Sequence, residues 1–263
     1  MDVVDAEPSF VEVENESGAP WRIARRMREA SGGGALRPGV VWLGGFKSDM
    51  RSTKARFLDD WARHRGRAFL RFDYSGHGES GGRFEDGAIG DWLEQSFALV
   101  EGSTQGPQIL VGSSMGGWIA LLLALRLAAR RRPLAGLVLL APAVDFTEEL
   151  LWKTAGDDIR HAIVEDGVWL RPSPYSPEPT PITRRLVEEG RAHLLLGGVI
   201  RVDAPVRILQ GMRDEDVPWR HAMRLVECLA ADPVVLTLVV DGDHRLSREQ
   251  DMAHLVASIE ALG

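Results

Sequence analysis

A chain of 263 residues, 44% of them hydrophobic, holds enough apolar material for one large core and lies at the upper end for a single domain. Its formal charge of −7 is spread along the chain without a basic block, so the electrostatic footprint of a nucleic-acid binder is missing. The longest apolar runs, Trp118 to Leu125 and Gly136 to Val144, fall short of the roughly 20 residues a membrane-spanning helix needs, and the lone cysteine, Cys228, reads as a small core hydrophobe.

The first sixteen residues carry Asp2, Asp5, Glu7, Glu12, Glu14 and Glu16 without Lys or Arg, which opposes a secretory signal or transit peptide and sets the expectation of a cytoplasmic protein. Phe10 to Glu14 alternates with period two, and Trp21 to Met27 can pair with it as an antiparallel edge hairpin. Apolar runs then predict strands at Val40 to Leu43, Ala68 to Phe72, Gln108 to Gly112, Leu137 to Ala141, Val206 to Gln210 and Val235 to Val240. Helical patterns fit Thr53 to His64, Ile89 to Val100, Met115 to Arg130, Trp219 to Ala230 and Arg248 to Leu262. Strands alternating with helices of this length predict an α/β fold, a mostly parallel twisted sheet with helices on both faces.

One segment breaks the rhythm. Asp145 to Val202 contains the proline-rich run Pro172 to Pro181 and several short helical stretches but no clear strand. It reads as a lid inserted into a core formed by residues 1–144 and 203–263, set over the carboxyl ends of the strands where open parallel sheets bind ligands.

The stretch G-S-S-M-G-G, Gly112 to Gly117, lies where a predicted strand meets a predicted helix. On a nucleophile elbow the residues two before and two after the nucleophile must be small, because the chain passes close to itself there. Ser114 has Gly112 and Gly116 at those positions, whereas Ser113 has Val111 and Met115, so Ser114 is the nucleophile candidate. A serine hydroxyl needs a base, and the base needs an orienting carboxylate. Among seven histidines, His244 in D-G-D-H-R directly follows the last predicted strand, at the sheet end where the elbow lies. His77, in the turn after an earlier strand, reads as a loop-fixing residue. The turn G-M-R-D-E-D-V-P after the strand Val206 to Gln210 offers Asp214 as the acid, with Asp216 as the alternative. Asp241 and Asp243 flank His244, but D-x-D-H is an incomplete ligand set, so neither a metal nor a cofactor is expected. Two backbone N–H groups should receive the oxyanion: Met115 at the start of its helix, and Phe46 in the loop L-G-G-F-K, with Gly45 the alternative. Gly45, Trp152 and Trp169 are candidate substrate contacts, together with Tyr175 and the run Leu194 to Leu196; Arg184, Arg185 and Arg191 are expected to face water.

Elbow, acid turn and terminal histidine in this order resemble the α/β-hydrolase superfamily over nearly the whole chain. Phe72 to Gly76, Gly106 to Trp118, Gly167 to Trp169, Pro172 to Ser176, Gly211 to Trp219 and Asp243 to Arg245 are similar to segments of its mitochondrial palmitoyl-protein thioesterase and acyl-glucuronide esterase branch. The resemblance implies Ser114, Asp214 and His244 as triad. It also implies a small-molecule acyl ester or thioester as substrate, or an S-acylated protein. A non-catalytic ligand-binding protein on the same scaffold, or a hydrolase of lactones, amides or carbon–carbon bonds, are the competing readings.

Overall fold

The computed structural model describes residues 7–15, 18–173 and 177–263. The elements follow in chain order: β1 (Ser9–Val13), β2 (Trp21–Arg28), β3 (Gly39–Leu43), α1 (Thr53–Arg65), β4 (Phe69–Phe72), α2 (Ile89–Ser103), β5 (Gln108–Ser113), α3 (Met115–Ala129) and β6 (Gly136–Leu140). After these come α4 (Asp157–Val164), β7 (Val168–Arg171), β8 (Thr180–Thr183), α5 (Arg184–Gly190), β9 (Val206–Gly211), α6 (Trp219–Cys228), β10 (Val234–Val239) and α7 (Glu249–Glu260). Eight strands form one sheet in the order β1-β2-β4-β3-β5-β6-β9-β10. β1 and β2 pair antiparallel, as do β2 and β4, while the remaining neighbours are parallel.

The central strands are apolar on both faces because helices cover both faces. Val41, Leu43, Leu110, Leu137 and Leu139 join Trp92 and Leu121 in one core. Their sequence neighbours Val40, Trp42, Ile109, Val111, Val138 and Leu140 join Leu58 and Leu255 in the other. The first core lies under α2 and α3, the second under α1 and α7, and the period of two along each strand separates them.

Strand order reverses at β3 and β5: the chain leaves β3 toward β4 on one side and returns at β5 on the other. The loops after β3 and β5 therefore part at a crevice outside their carboxyl ends, the usual ligand position in open α/β sheets.

The segment between β6 and β9 corrects one expectation. It holds an antiparallel two-stranded sheet, β7 with β8, where Trp169 faces Ile182 and Arg171 faces Thr180. Pro181 hid the second strand: it cannot donate to a ladder, but a two-stranded ribbon consists of edges, where proline is tolerated. A single π-helical turn (Thr147–Trp152), α4, α5 and a 3-10 turn (Arg191–His193) complete the segment. Polar contacts fasten it to the core. Asp145 accepts hydrogen bonds from Leu195 N–H at 2.9 Å and Leu196 N–H at 2.8 Å, drawing its two ends together. Glu189 accepts from Gly90 N–H at 3.0 Å, and Trp118 Nε1 donates to His193 O at 3.0 Å.

A methyl group on Gly116 would overlap the carbonyl oxygens of Leu43 and Gly44, so β3 and α3 can meet only over a bare backbone. Gly116→Ala is expected to cost about 3 kcal/mol or more, the upper end of core overpacking. Chemical denaturation measures it, and stability within about 1 kcal/mol of wild type would contradict this packing.

Candidate active site

Ser114 sits on a turn that lasts a single residue, since β5 ends at Ser113 and α3 starts at Met115. Its backbone has φ 54° and ψ −120°, a region that residues with a side chain rarely occupy. The conformation is held from both sides: Ser114 N–H donates to Leu140 O at 2.9 Å, and Ser114 O accepts from Gly117 N–H at 2.9 Å and Ala143 N–H at 3.0 Å. The strain points the hydroxyl out of the sheet end.

His244 comes from the loop after β10, and its Nε2 lies 3.1 Å from Ser114 Oγ. Its Nδ1 lies 2.8 Å from Asp214 Oδ2, across 30 residues of sequence. With Nδ1–H donating to the carboxylate, Nε2 is left to accept from the serine hydroxyl. The Asp214 carboxylate is fully enclosed, and three donors support it: Val217 N–H at 2.8 Å, Asp216 N–H at 3.0 Å and Gln210 Nε2 at 3.1 Å. Asp216, the alternative acid, instead accepts from Arg171 Nη2 at 3.1 Å. Asp214, Asp216 and His244 also bring ligand atoms within 4.8 Å of one another, but two of those atoms already bond each other and Arg171 holds the third residue. Other histidines have structural partners: His193 bonds Glu189 and His221 bonds Val144 O, both at contacts under 3 Å.

The loop after β3 lies against the elbow. A Cβ on Gly45 would stand 3.4 Å from Ser114 Cβ, so the loop approaches to the limit of contact. Among the described residues neither Phe46 N–H nor Met115 N–H has a hydrogen-bond acceptor, and both residues line the same cavity as Ser114. The Phe46 ring is fixed by Phe84, Phe146 and Trp92, with centroids 4.9, 5.5 and 6.0 Å away.

Two residues hold this loop from the turn after β4. His77 is buried, its Nδ1–H donating to Ser75 O at 3.1 Å and its Nε2 accepting from Lys47 N–H at 3.2 Å. Burial lowers its pKa to about 4, which keeps the imidazole neutral and its Nε2 lone pair available. Asp73 accepts from Met50 N–H at 2.6 Å and Glu79 N–H at 2.8 Å, joining both loops. The sequence marked His77 as a loop residue and gave no sign of Asp73 or Gln210. A polar residue ending an apolar strand run, as in F-L-R-F-D and V-R-I-L-Q, is the signal that could have found them.

A cavity of about 510 Å³ opens at Ser114. Gly45 lines it, but Trp152 and Trp169 do not, which corrects the assignment of both indoles as substrate contacts. Trp152 packs on the core with the guanidinium of Arg191 4.9 Å over its ring. Trp169 sits two residue pairs along the hairpin from Arg171 and Thr180, which do reach the cavity, and packs on the core instead. Leu150 and Leu151 line the cavity. Tyr175 lies outside the described residues. The arginines expected to face water brace the insertion: Arg185 bonds Asp91 at 2.6 Å, Arg191 bonds Glu148 at 3.0 Å, and Arg184 bonds Val164 O at 3.0 Å.

Residues 36–167 match the hydrolase family described as serine aminopeptidase, S33. The chain is 35% identical over 226 residues to the mitochondrial palmitoyl-protein thioesterase ABHD10 of Bos taurus, covering 86% of this chain and 72% of that protein. It belongs to the α/β-hydrolase family that includes ABHD10. The human member is 34% identical over the same shares of both chains. In solved structures this α/β hydrolase is similar to a putative hydrolase from Agrobacterium vitis S4, with 49% identity, a TM-score of 0.92, and coverage of 97% of this chain and 98% of the other. Mouse ABHD10 superposes with a TM-score of 0.84 at 31% identity over 98% of both chains. Est1E from Butyrivibrio proteoclasticus, at 18% identity and a TM-score of 0.71, shares the fold. No described helix is long and apolar enough to cross a membrane.

The folded pKa of His77, about 4, lies below its ordinary value of 6.5. The stability this residue contributes is therefore complete above about pH 6.5 and is lost as pH falls toward about 4, because the unfolded chain binds the proton first. The melting-temperature gap between wild type and His77→Gln is expected to shrink between pH 7 and pH 4.5. A gap that stays constant or widens would contradict a neutral, loop-holding His77.

Proposed function

We propose that this hydrolase cleaves carboxylic esters or thioesters through an acyl-enzyme. The observation that carries the reading is the continuous hydrogen-bonded row Ser114 Oγ, His244 Nε2, His244 Nδ1 and Asp214 Oδ2, opening on a cavity at the strand ends. Ser114 Oγ attacks the acyl carbon while His244 Nε2 takes the hydroxyl proton, and the carbonyl electrons move onto oxygen. Phe46 and Met115 N–H receive that oxyanion, which is worth about 10²- to 10³-fold in rate per donor. As the tetrahedral intermediate collapses, His244 passes its proton to the leaving sulfur or oxygen. Water then repeats the sequence on the acyl-enzyme and frees the acid. Enclosed and held by three donors, the Asp214 carboxylate faces His244 Nδ1 and balances the imidazolium.

The acyl group is assigned to the apolar wall of Ala143, Phe146, Leu150, Leu151 and Val217. Relatives named palmitoyl-protein thioesterase support a thioester of an aliphatic acid. Amide cleavage by an aminopeptidase, the description of the matched family, uses the same residues but requires a carboxylate for the substrate's α-ammonium group. Asp216 is the carboxylate lining the cavity, and Arg171 already binds it.

A fluorophosphonate is expected to form one adduct, mapped to Ser114 by mass spectrometry; labelling that survives Ser114→Ala would defeat the assignment. Asp214→Asn, which removes the charge and the proper tautomer, is expected to lower kcat by about 10³- to 10⁴-fold with KM nearly unchanged. A loss below tenfold in steady-state hydrolysis would exclude Asp214 as the orienting acid.

A further inference from the structure

Arginine supplies almost all of the positive charge of this chain: among 31 basic residues only Lys47, Lys54 and Lys153 are lysines. The difference is chemical, because a guanidinium keeps its proton in a protein, whereas an amine that loses its proton becomes a nucleophile. Two of the three, Lys47 and Lys54, line the cavity that holds Ser114. Lys47 is exposed, and its Nζ donates to Pro179 O at 3.0 Å. Lys153 is also exposed and pairs with Glu149 at 2.6 Å.

Lys54 differs from both. It is half-buried in the first turn of α1, where the positive end of the helix dipole opposes an ammonium. Its Nζ donates to Arg245 O, which holds the amine against the segment that carries His244. A carbonyl oxygen takes one proton without neutralising the charge. Of the two carboxylates that attract Lys54, Asp251 is bonded by Arg248 Nε at 2.9 Å, and Asp243 accepts from Leu246 N–H at 3.0 Å. The Arg245 guanidinium repels it. The other charged or titratable groups lining the cavity are Lys47, Arg171, His244 and Asp216, and Arg171 already bonds Asp216. Burial first, and then repulsion from Arg245, lower the Lys54 ammonium from 10.5 to about 8. At pH 7.5 about a quarter of such an amine is neutral, against about one part in a thousand of an ordinary lysine. Weaker basicity takes back part of that gain, as it does for thiols, and leaves an advantage of about tenfold.

We propose that Lys54 is a site of self-acylation, taking onto its side-chain nitrogen the acyl group of a thioester held in the cavity. The inference rests on the reading of this cavity as an acyl-thioester site and adds a covalent modification that slows it. Neutral Nζ attacks the acyl carbon, the carbonyl electrons move onto oxygen, and their return expels the sulfur as thiolate. The nitrogen then sheds one proton and the thiolate takes up one, leaving an amide on Lys54 and a free thiol. Ser114 and Lys54 compete for one carbonyl. Turnover through Ser114 releases the acid and restores the enzyme, whereas the amide on Lys54 persists. Acylation erases the ammonium and leaves an aliphatic chain inside the cavity, so abundant acyl donor gradually blocks its own hydrolysis.

Ser114→Ala incubated with S-octanoyl-N-acetylcysteamine at pH 7.5, then digested and mapped by mass spectrometry, tests this. Octanoyl-Lys54 is expected to form about tenfold or more faster than the adducts of Lys47 and Lys153. Its rate should reach half of its plateau near pH 8, while that of Lys153 goes on rising toward pH 10. In guanidinium chloride the three lysines should label alike. In the wild type, octanoyl-Lys54 should accumulate as hydrolysis slows, and Lys54→Arg should keep its starting rate over the same incubation. An unlabelled Lys54, labelling no faster than that of Lys153, or a preference that survives unfolding would overturn the proposal. A Lys54→Arg enzyme that decays as fast as wild type would overturn the braking role. Trace acetic anhydride, which needs no binding site, keeps the two readings apart. Preference for Lys54 with the anhydride but not with the thioester marks failure of the acyl-site reading. No preference with either reagent, in an enzyme that hydrolyses the thioester, rejects the Lys54 proposal alone.

Discussion

A single strained residue governs the rest of the molecule. Ser114 must end a buried strand and begin a buried helix at once, and φ 54° with ψ −120° is how it does so. Such a conformation costs about 1–3 kcal/mol and persists only where its surroundings over-determine it. Here the surroundings are the backbones of β3, β5 and α3, brought so near that Gly112 and Gly116 have no room for a methyl group. The sheet's hydrophobic burial thus stabilises one awkward turn, and the turn presents a hydroxyl where the strand order reverses.

Around that turn, a few polar groups, most of them buried, hold one another in place. Gln210 and the turn amides fix Asp214, Asp214 fixes His244, His77 and Asp73 fix the loop carrying Phe46, and Asp145 closes the base of the insertion. The contacts to Asp214 from its own turn are local, but His244–Asp214, His77–Lys47, Asp73–Met50 and Asp145–Leu196 each join segments more than twenty residues apart, so the geometry at Ser114 depends on the assembled fold. Buried polar networks of this kind specify a unique arrangement only when every member is satisfied. Gln210 illustrates the cost: its amide nitrogen serves Asp214 and Val217 O, while its own oxygen lies buried without a donor among the described residues.

Period-two and period-3.6 patterns made the sheet and its helices legible, with strand and helix limits within a few residues of those observed, because burial on two faces writes an unambiguous hydropathy pattern. Glycine spacing singled out Ser114 over Ser113 for the same reason the fold needs it, a close approach that only glycine permits. The choice between Asp214 and Asp216 was legible only as a preference, since both lie on one turn and only coordinates separate the one bonded to His244 from the one bonded to Arg171. The β7–β8 hairpin stayed hidden behind Pro181. Trp152 and Trp169 misled because large aromatic rings are more often core than contact, and their orientation depends on packing that local sequence does not encode.

The central claim is that Ser114 and His244 act as one device held across 130 residues of sequence. A double-mutant cycle on kcat, with Ser114→Ala, His244→Ala and the pair assayed on one thioester, tests it most directly. The account predicts that each single variant loses about as much as the double, roughly 10⁴-fold or more, because removing either member abolishes the shared step. Losses that multiply, or a His244 variant that retains most of its activity, would contradict it.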